Sequence, residues 1–138
     1  MKPVLLDTGV IVALLDRSER YHKACAAALE DLGSPLATCE PVIAESCYLL
    51  RSVPGAAEAI LENVVIGHFQ IPFQLSRSAS QIQRVLRKYQ DRQVDLADAC
   101  LIHLANEFRT GEILTLDHDF DIYRWGVNKP FHLLIAAP

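Results

Sequence analysis

Long hydrophobic runs are missing from this sequence. The longest apolar stretches, Val10–Leu15 and Ala24–Leu29, stop at six residues. A membrane-spanning helix needs about twenty, so no membrane span is expected. The opening residues, Lys2-Pro3-Val4-Leu5-Leu6-Asp7, put a carboxylate where a secretory signal would continue its apolar core. A cytoplasmic protein is the expectation. No Cys-x-x-Cys pair exists among Cys25, Cys39, Cys47 and Cys100. These read as small reduced thiols that pack like hydrophobes. His-x-x-x-His is also missing, although His22, His68, His103, His118 and His132 are present. That leaves little from which to build a zinc site. Excess positive charge is lacking too, with a net charge of −4.

What is there suffices for one folded domain, expected over residues 1–138. Hydrophobic residues make up 51% of the chain and charged residues 22%, a globular composition. The net charge conceals a local one. Between positions 77 and 92, Arg77, Arg84, Arg87, Lys88 and Arg92 face a single acid, Asp91. Acids gathered elsewhere and neutralised by a cation would leave the remaining surface slightly basic. A polyanionic ligand therefore stays possible.

Strand and helix signals alternate. Val4–Leu6 is a short apolar run ending at Asp7, and it reads as a buried strand. Val10–Leu15 fits either a buried helix or a continuing strand. Helical spacing covers 19–32, stopped by Gly33-Ser34-Pro35. Leu36–Thr38 reads as a second strand. Pro41–Arg51 and Ala56–Val65 read as helices, the former with Pro41 in its first turn. His68–Ile71 reads as a third strand. Ser76–Tyr89 is an amphipathic helix with Ile82, Val85, Leu86 and Tyr89 on one face. Asp95–Phe108 is a helix closed by Gly111. Ile113–Leu116 and His132–Ile135 complete the strands. This order predicts an α/β domain with a mainly parallel sheet and helices on both faces. Sites in such sheets form at the carboxyl ends of strands. Asp7 and Asp117 each follow a predicted strand, which puts them on one edge.

Carboxylates recur in apolar company. They occur in Leu6-Asp7-Thr8, Ala44-Glu45-Ser46, Val94-Asp95-Leu96-Ala97-Asp98-Ala99 and Leu116-Asp117-His118-Asp119. Buried carboxylates repel one another unless a cation joins them. All-oxygen donors suit Mg²⁺ or Mn²⁺. Asp7 fits a site role or a helix cap. Asp95 fits a cap better. Asp98 lies one turn inside a very apolar helix and reads as a site residue, as do Glu45 and Asp117. Asp119 divides between site and loop, and Asp121 reads as loop. Thr8 and Thr115 could orient carboxylates, contact substrate or satisfy local backbone groups. Tyr21, Tyr89, Tyr123 and Trp125 read as core or rim aromatics, with base stacking as the alternative.

These segments resemble those of a PIN domain, in particular the VapC-type ribonuclease toxins of bacterial and archaeal toxin–antitoxin systems. The resemblance rests on Asp7-Thr8 after the first strand, on the helix bearing Glu45, on Asp98-Ala99-Cys100-Leu101-Ile102-His103-Leu104-Ala105, and on Thr115-Leu116-Asp117-His118-Asp119-Phe120. It implies a PIN-like three-layer fold with a five-stranded, mainly parallel sheet. It implies Mg²⁺- or Mn²⁺-dependent cleavage of RNA, with Asp7, Glu45, Asp98 and Asp117 as catalytic and metal-binding acids. Asp119 is implied as an auxiliary metal ligand, with Thr8, Thr115 and Asp95 around the site. A small antitoxin is the implied partner; a homodimer is expected because the Ala- and Leu-rich faces near 20–32 and 40–66 exceed what one small core needs and a two-fold dimer is the commonest arrangement, and those faces are the candidate surface. The basic helix offers Arg84, Arg87 and Lys88 for RNA phosphates, with Arg17, Arg20, Lys23 and Arg124 as the alternative source. Two rival readings remain: a PIN-like binding module without catalysis, and an aspartic protease suggested by Leu5-Leu6-Asp7-Thr8-Gly9. The protease requires an all-β, glycine-rich fold, which six glycines and long helical patterns oppose.

Overall fold

A computed structural model describes residues 2–135. Strand β1 (Val4–Leu6) is central, and its three side chains are all buried. It is followed by helices α1 (Thr8–Leu15) and α2 (His22–Glu30), strand β2 (Leu36–Ala37), helices α3 (Glu40–Leu49) and α4 (Ala56–Val65), and strand β3 (Phe69–Gln70). Then come α5 (Leu75–Lys88), α6 (Leu96–Phe108), β4 (Glu112–Leu114), β5 (Arg124–Trp125), β6 (Lys129–Pro130) and β7 (His132–Leu133).

Five strands form one sheet in the order β3-β2-β1-β4-β7, and every neighbouring pair is parallel. Leu5 stands opposite Ala37 on one side and Ile113 on the other. The connections β1 to β2, β2 to β3 and β3 to β4 run through helices, and the chain passes from β4 to its parallel neighbour β7 through a 3₁₀ turn and the β5 and β6 segments. The helices flank the sheet, giving the α/β, PIN-like three-layer arrangement. α1 packs on α2 and α3, α3 on α4 and α6, and α5 along α6. Helix α6 is the most deeply set: residues 97–105 are all buried. Among the described residues, no helix is long and apolar enough to cross a membrane.

The structure resolves the ambiguity at Val10–Leu15 in favour of helix. Asp7 has extended backbone and its carboxylate accepts a hydrogen bond from the Thr8 N–H, so the chain turns directly from strand into α1. Several strands are shorter than their apolar patterns: β2 stops at Ala37, β3 keeps only Phe69–Gln70, and β7 stops at Leu133. An antiparallel hairpin of β5 and β6 was not expected. Its strands have two residues each, too few for any periodicity, and its turn depends on left-handed backbone at Gly126 and Asn128. Gly111 admits the hairpin: a Cβ there would lie 2.2 Å from Trp125 Nε1, the atom that donates to the Pro130 carbonyl.

Candidate metal centre

The parallel sheet delivers the ends of β1 and β4 side by side. The Asp7 N–H donates to the Leu114 carbonyl at 3.1 Å, extending the β1–β4 pairing by one step. Asp7 and, after Thr115 and Leu116, Asp117 then leave the same sheet edge. Helix α6 starts at this edge. Its cap is Asp95, whose side chain accepts from the Asp98 N–H at 2.8 Å. The first turn of α6 therefore presents Asp98 toward Asp7 and Asp117.

One carboxylate oxygen from each of Asp7, Asp98 and Asp117 lies within 4.8 Å of the other two. Asp7 is 6% exposed and Asp98 8%. They border an open cavity of about 330 Å³ that is also lined by Thr8, Glu45, Leu49 and Asp95. The helix amino ends of α1 and α6 meet here, and their partial positive charge favours nearby carboxylates.

Hydrogen bonds fix the trio. Thr115, fully buried, donates its hydroxyl to Asp7 Oδ2 at 2.7 Å and accepts the Asp117 N–H at 3.0 Å. A single threonine thus ties the two strand-end acids together, orienting a carboxylate and satisfying a local backbone group at once. Asp117 accepts from the Asp119 N–H at 2.9 Å, capping the 3₁₀ turn at His118–Asp121. Asp98 Oδ2 accepts from the Tyr123 hydroxyl at 3.1 Å. Thr8 Oγ1, buried beside Asp7, has no hydrogen-bond partner.

The electrostatics oppose this assembly in the absence of a cation. Burial pushes the Asp7 carboxyl up to about 6; hydrogen bonds from Thr115 and Thr8 work against the rise, and Asp117 and Glu45 add to it. Burial likewise raises Asp98 to about 8, helped by the charges of Asp95, Asp7 and Asp117 and resisted by the bond from Tyr123. Burial, followed by the charge of Asp98, raises Tyr123, which therefore stays protonated and donating. Perturbed acids in a cleft mark functional sites.

The expected acids are not placed alike. Asp7, Asp98 and Asp117 converge. Glu45 is exposed on α3; it lines the cavity but stands outside the close trio. Asp95 lines the cavity while acting as a cap. Asp119 is exposed and lies outside both the trio and the cavity lining. Of the basic residues, Arg84 and Lys88 line a groove between α5 and α6, and Arg87 is absent from its lining. Tyr123 was read only as core or base platform. Its contact with Asp98 joins residues 25 apart, and no local pattern announces it.

The donor set is wholly oxygen, which suits Mg²⁺ or Mn²⁺ better than zinc. Three crowded carboxylates, two of them raised by burial and mutual charge, suit a divalent cation. The orphaned Thr8 hydroxyl fits the same site as a further oxygen donor.

Comparison with known proteins agrees with this fold. The PIN domain family model matches residues 4–126. Ribonuclease VapC26 of Mycobacterium tuberculosis (strain ATCC 25618 / H37Rv) is 31% identical over 116 residues, spanning 83% of this chain and 86% of that protein. The crystal structure of Mycobacterium tuberculosis VapC20, described as a Sarcin-Ricin loop cleaving toxin, superposes with a TM-score of 0.77. It is 17% identical, covering 86% of this chain and 93% of the other. At that identity the likeness concerns the fold.

Proposed function

The chain belongs to the PIN-domain family and is related to the VapC-family ribonuclease toxins, and from this premise we propose that it is a Mg²⁺- or Mn²⁺-dependent endoribonuclease, acting as one domain over residues 1–138. The observation that carries this reading is the convergence of Asp7, Asp98 and Asp117 oxygens within 4.8 Å at the edge of the sheet.

In this reading Asp7, Asp98 and Asp117 hold the ion, with Thr8 at hand. When bound there, a divalent ion would supply Lewis-acid chemistry toward a phosphate oxygen and a water. The protein's own contribution is placement. Thr115 and the Thr8 N–H lock Asp7, and Tyr123 locks Asp98, so the acids stay poised despite their repulsion. Glu45, exposed at the rim, is assigned to receive the proton of the attacking water. Asp95 keeps the first turn of α6 in register, and Asp119 serves as an auxiliary acid.

The VapC name of the 31%-identical relative, shared with VapC20, which is described as a toxin, supports the further proposal that this enzyme is the toxin of a toxin–antitoxin pair. Among the described residues, Tyr48, Leu49, Leu61, Val65 and Ile66 are exposed, all on or just beyond α3 and α4. They support the 40–66 region as the surface for a second copy or an antitoxin. The 20–32 region offers less, since Leu29 and Leu32 are half-buried.

Incubation of the purified chain with a panel of structured RNAs, in Mg²⁺, Mn²⁺ or EDTA, tests the reading. Cleavage that needs the metal and is lost in Asp98→Asn is expected. RNA binding without cleavage at any metal concentration would replace it with the binding-module reading.

A further inference from the structure

Helices α5 and α6 enclose a groove that the acidic centre does not use. Arg77, Gln81, Arg84 and Lys88 follow one another at steps of four, three and four, so they form one stripe along α5. At 1.5 Å per residue the stripe runs about 16 Å. It borders two adjoining hollows of about 510 and 420 Å³, which share His103 and Glu107 of α6 as common lining. Arg77, Arg84 and Lys88 are exposed, and among the described residues no ion pair uses them. Glu107 is the one acid lining either hollow. The groove thus keeps a surplus of positive charge in a protein whose net charge is −4.

The floor is also polar. The His103 side chain is 4% exposed, and its Nε2 stands 3.6 Å from a Glu107 oxygen, beyond hydrogen-bond reach. Nε2 is itself buried and has no hydrogen-bond partner. Phe73 is tilted against the His103 ring at 5.9 Å between centroids. Gln74, Gln81 and Asn106 add amides to the walls.

We propose that this groove is a binding track for single-stranded RNA flanking the scissile phosphate. The identity of the polyanion rests on the ribonuclease reading. Separated cations over about 16 Å suit a repeating phosphate backbone and exceed what one phosphate can touch. Rings, guanidinium planes and amides are the groups that stack on unpaired bases and pair with their edges. An acidic peptide would use the cations, but it would leave those groups idle. The Lys88 end of the track is joined to the acids through the core: Tyr89, the next residue, packs edge-on to Tyr123 at 5.0 Å, and Tyr123 holds Asp98.

The test is fluorescence anisotropy of a labelled, randomised RNA strand of about 15 nucleotides in EDTA across a salt series. Each backbone contact adds about 0.7 to the log–log salt slope. The combined Arg77→Ala, Arg84→Ala, Lys88→Ala variant is expected to bind more weakly and to lose about two units of slope. The length-keeping Arg77→Gln, Arg84→Gln, Lys88→Gln variant should do the same. Glu107→Gln is expected to bind about two- to fivefold more tightly as the repulsion goes. Arg17→Ala, Arg20→Ala, Lys23→Ala should keep the wild-type slope. Unchanged slopes in both groove variants, or no RNA binding by wild type, overturn the track. So does groove-dependent capture of poly-glutamate with RNA binding unaffected, which would assign the surface to an acidic protein. Metal-dependent cleavage, measured alongside, separates this failure from that of the ribonuclease reading. Groove-dependent binding without cleavage sinks the nuclease and supports the track, whereas cleavage with an unchanged KM in the groove variants sinks the track alone.

Discussion

Replacing Asp98 by Asn should make the metal-free protein more stable while removing its activity. Asn keeps the shape and still offers an oxygen to the Tyr123 hydroxyl, which bonds Asp98 Oδ2 at 3.1 Å. What it removes is a carboxylate that burial and the charges of Asp95, Asp7 and Asp117 have raised from 3.8 to about 8. The folded protein therefore holds a proton there that the unfolded chain releases. Between those two values stability falls as pH rises. The variant lacks this slope, so its advantage is small near pH 4, grows upward, and levels off above pH 8. At about 1.4 kcal/mol per unit, the shift amounts to about 6 kcal/mol for a group shut off from solvent. Asp98 opens on the cavity, and screening brings the expected gain to about 1–3 kcal/mol. For a domain of this size that is a rise of about 4–12 °C in Tm. Differential scanning fluorimetry in EDTA from pH 4 to pH 9 measures it. Mn²⁺ should then narrow that gap, because an ion at a hundred times its Kd stabilises wild type by about 2.7 kcal/mol and the variant by less. A variant less stable than wild type at pH 8 in EDTA would refute the claim that these acids are held together against their repulsion.

Tyr123→Phe should lower Mn²⁺ affinity by about tenfold or more while costing about 1 kcal/mol of stability; calorimetric titration and a melting curve separate the two, and an unchanged affinity would leave Tyr123 as core alone. Glu45→Gln should reduce the rate of RNA cleavage strongly while shifting the metal-free Tm by no more than a surface substitution does, within about 0.5 kcal/mol, because Glu45 is exposed and outside the trio. A rate equal to wild type would remove Glu45 from the chemistry.

Much of this architecture is legible along the chain because parallel sheets bury short apolar runs and expose their ends. Val4–Leu6 followed by Asp7, and Ile113–Leu116 followed by Asp117, read directly as strand ends bearing acids. Helix α6 reads as buried because few polar residues interrupt it. Spacing could not say which acids converge. Glu45 and Asp119 have the same kind of local signal as Asp98, but only Asp98 lies on a buried helix start facing β1 and β4. The Tyr123 bond to Asp98 and the Thr115 bridge to Asp7 depend on contacts across 25 and 108 residues, which no periodicity encodes. The β5–β6 hairpin is lost to pattern for a different reason: its strands are too short to alternate. Helical spacing did indicate a basic helix, and only packing against α6 separated Arg84 and Lys88, which line the groove, from Arg87.

The most direct test of the metal centre is anomalous diffraction from crystals of the chain grown with Mn²⁺. A peak bonded to Asp7, Asp98 and Asp117, and absent in Asp98→Asn, is the expected result. Mn²⁺ that binds elsewhere, or a trio that stays empty at concentrations supporting RNA cleavage, would contradict the account.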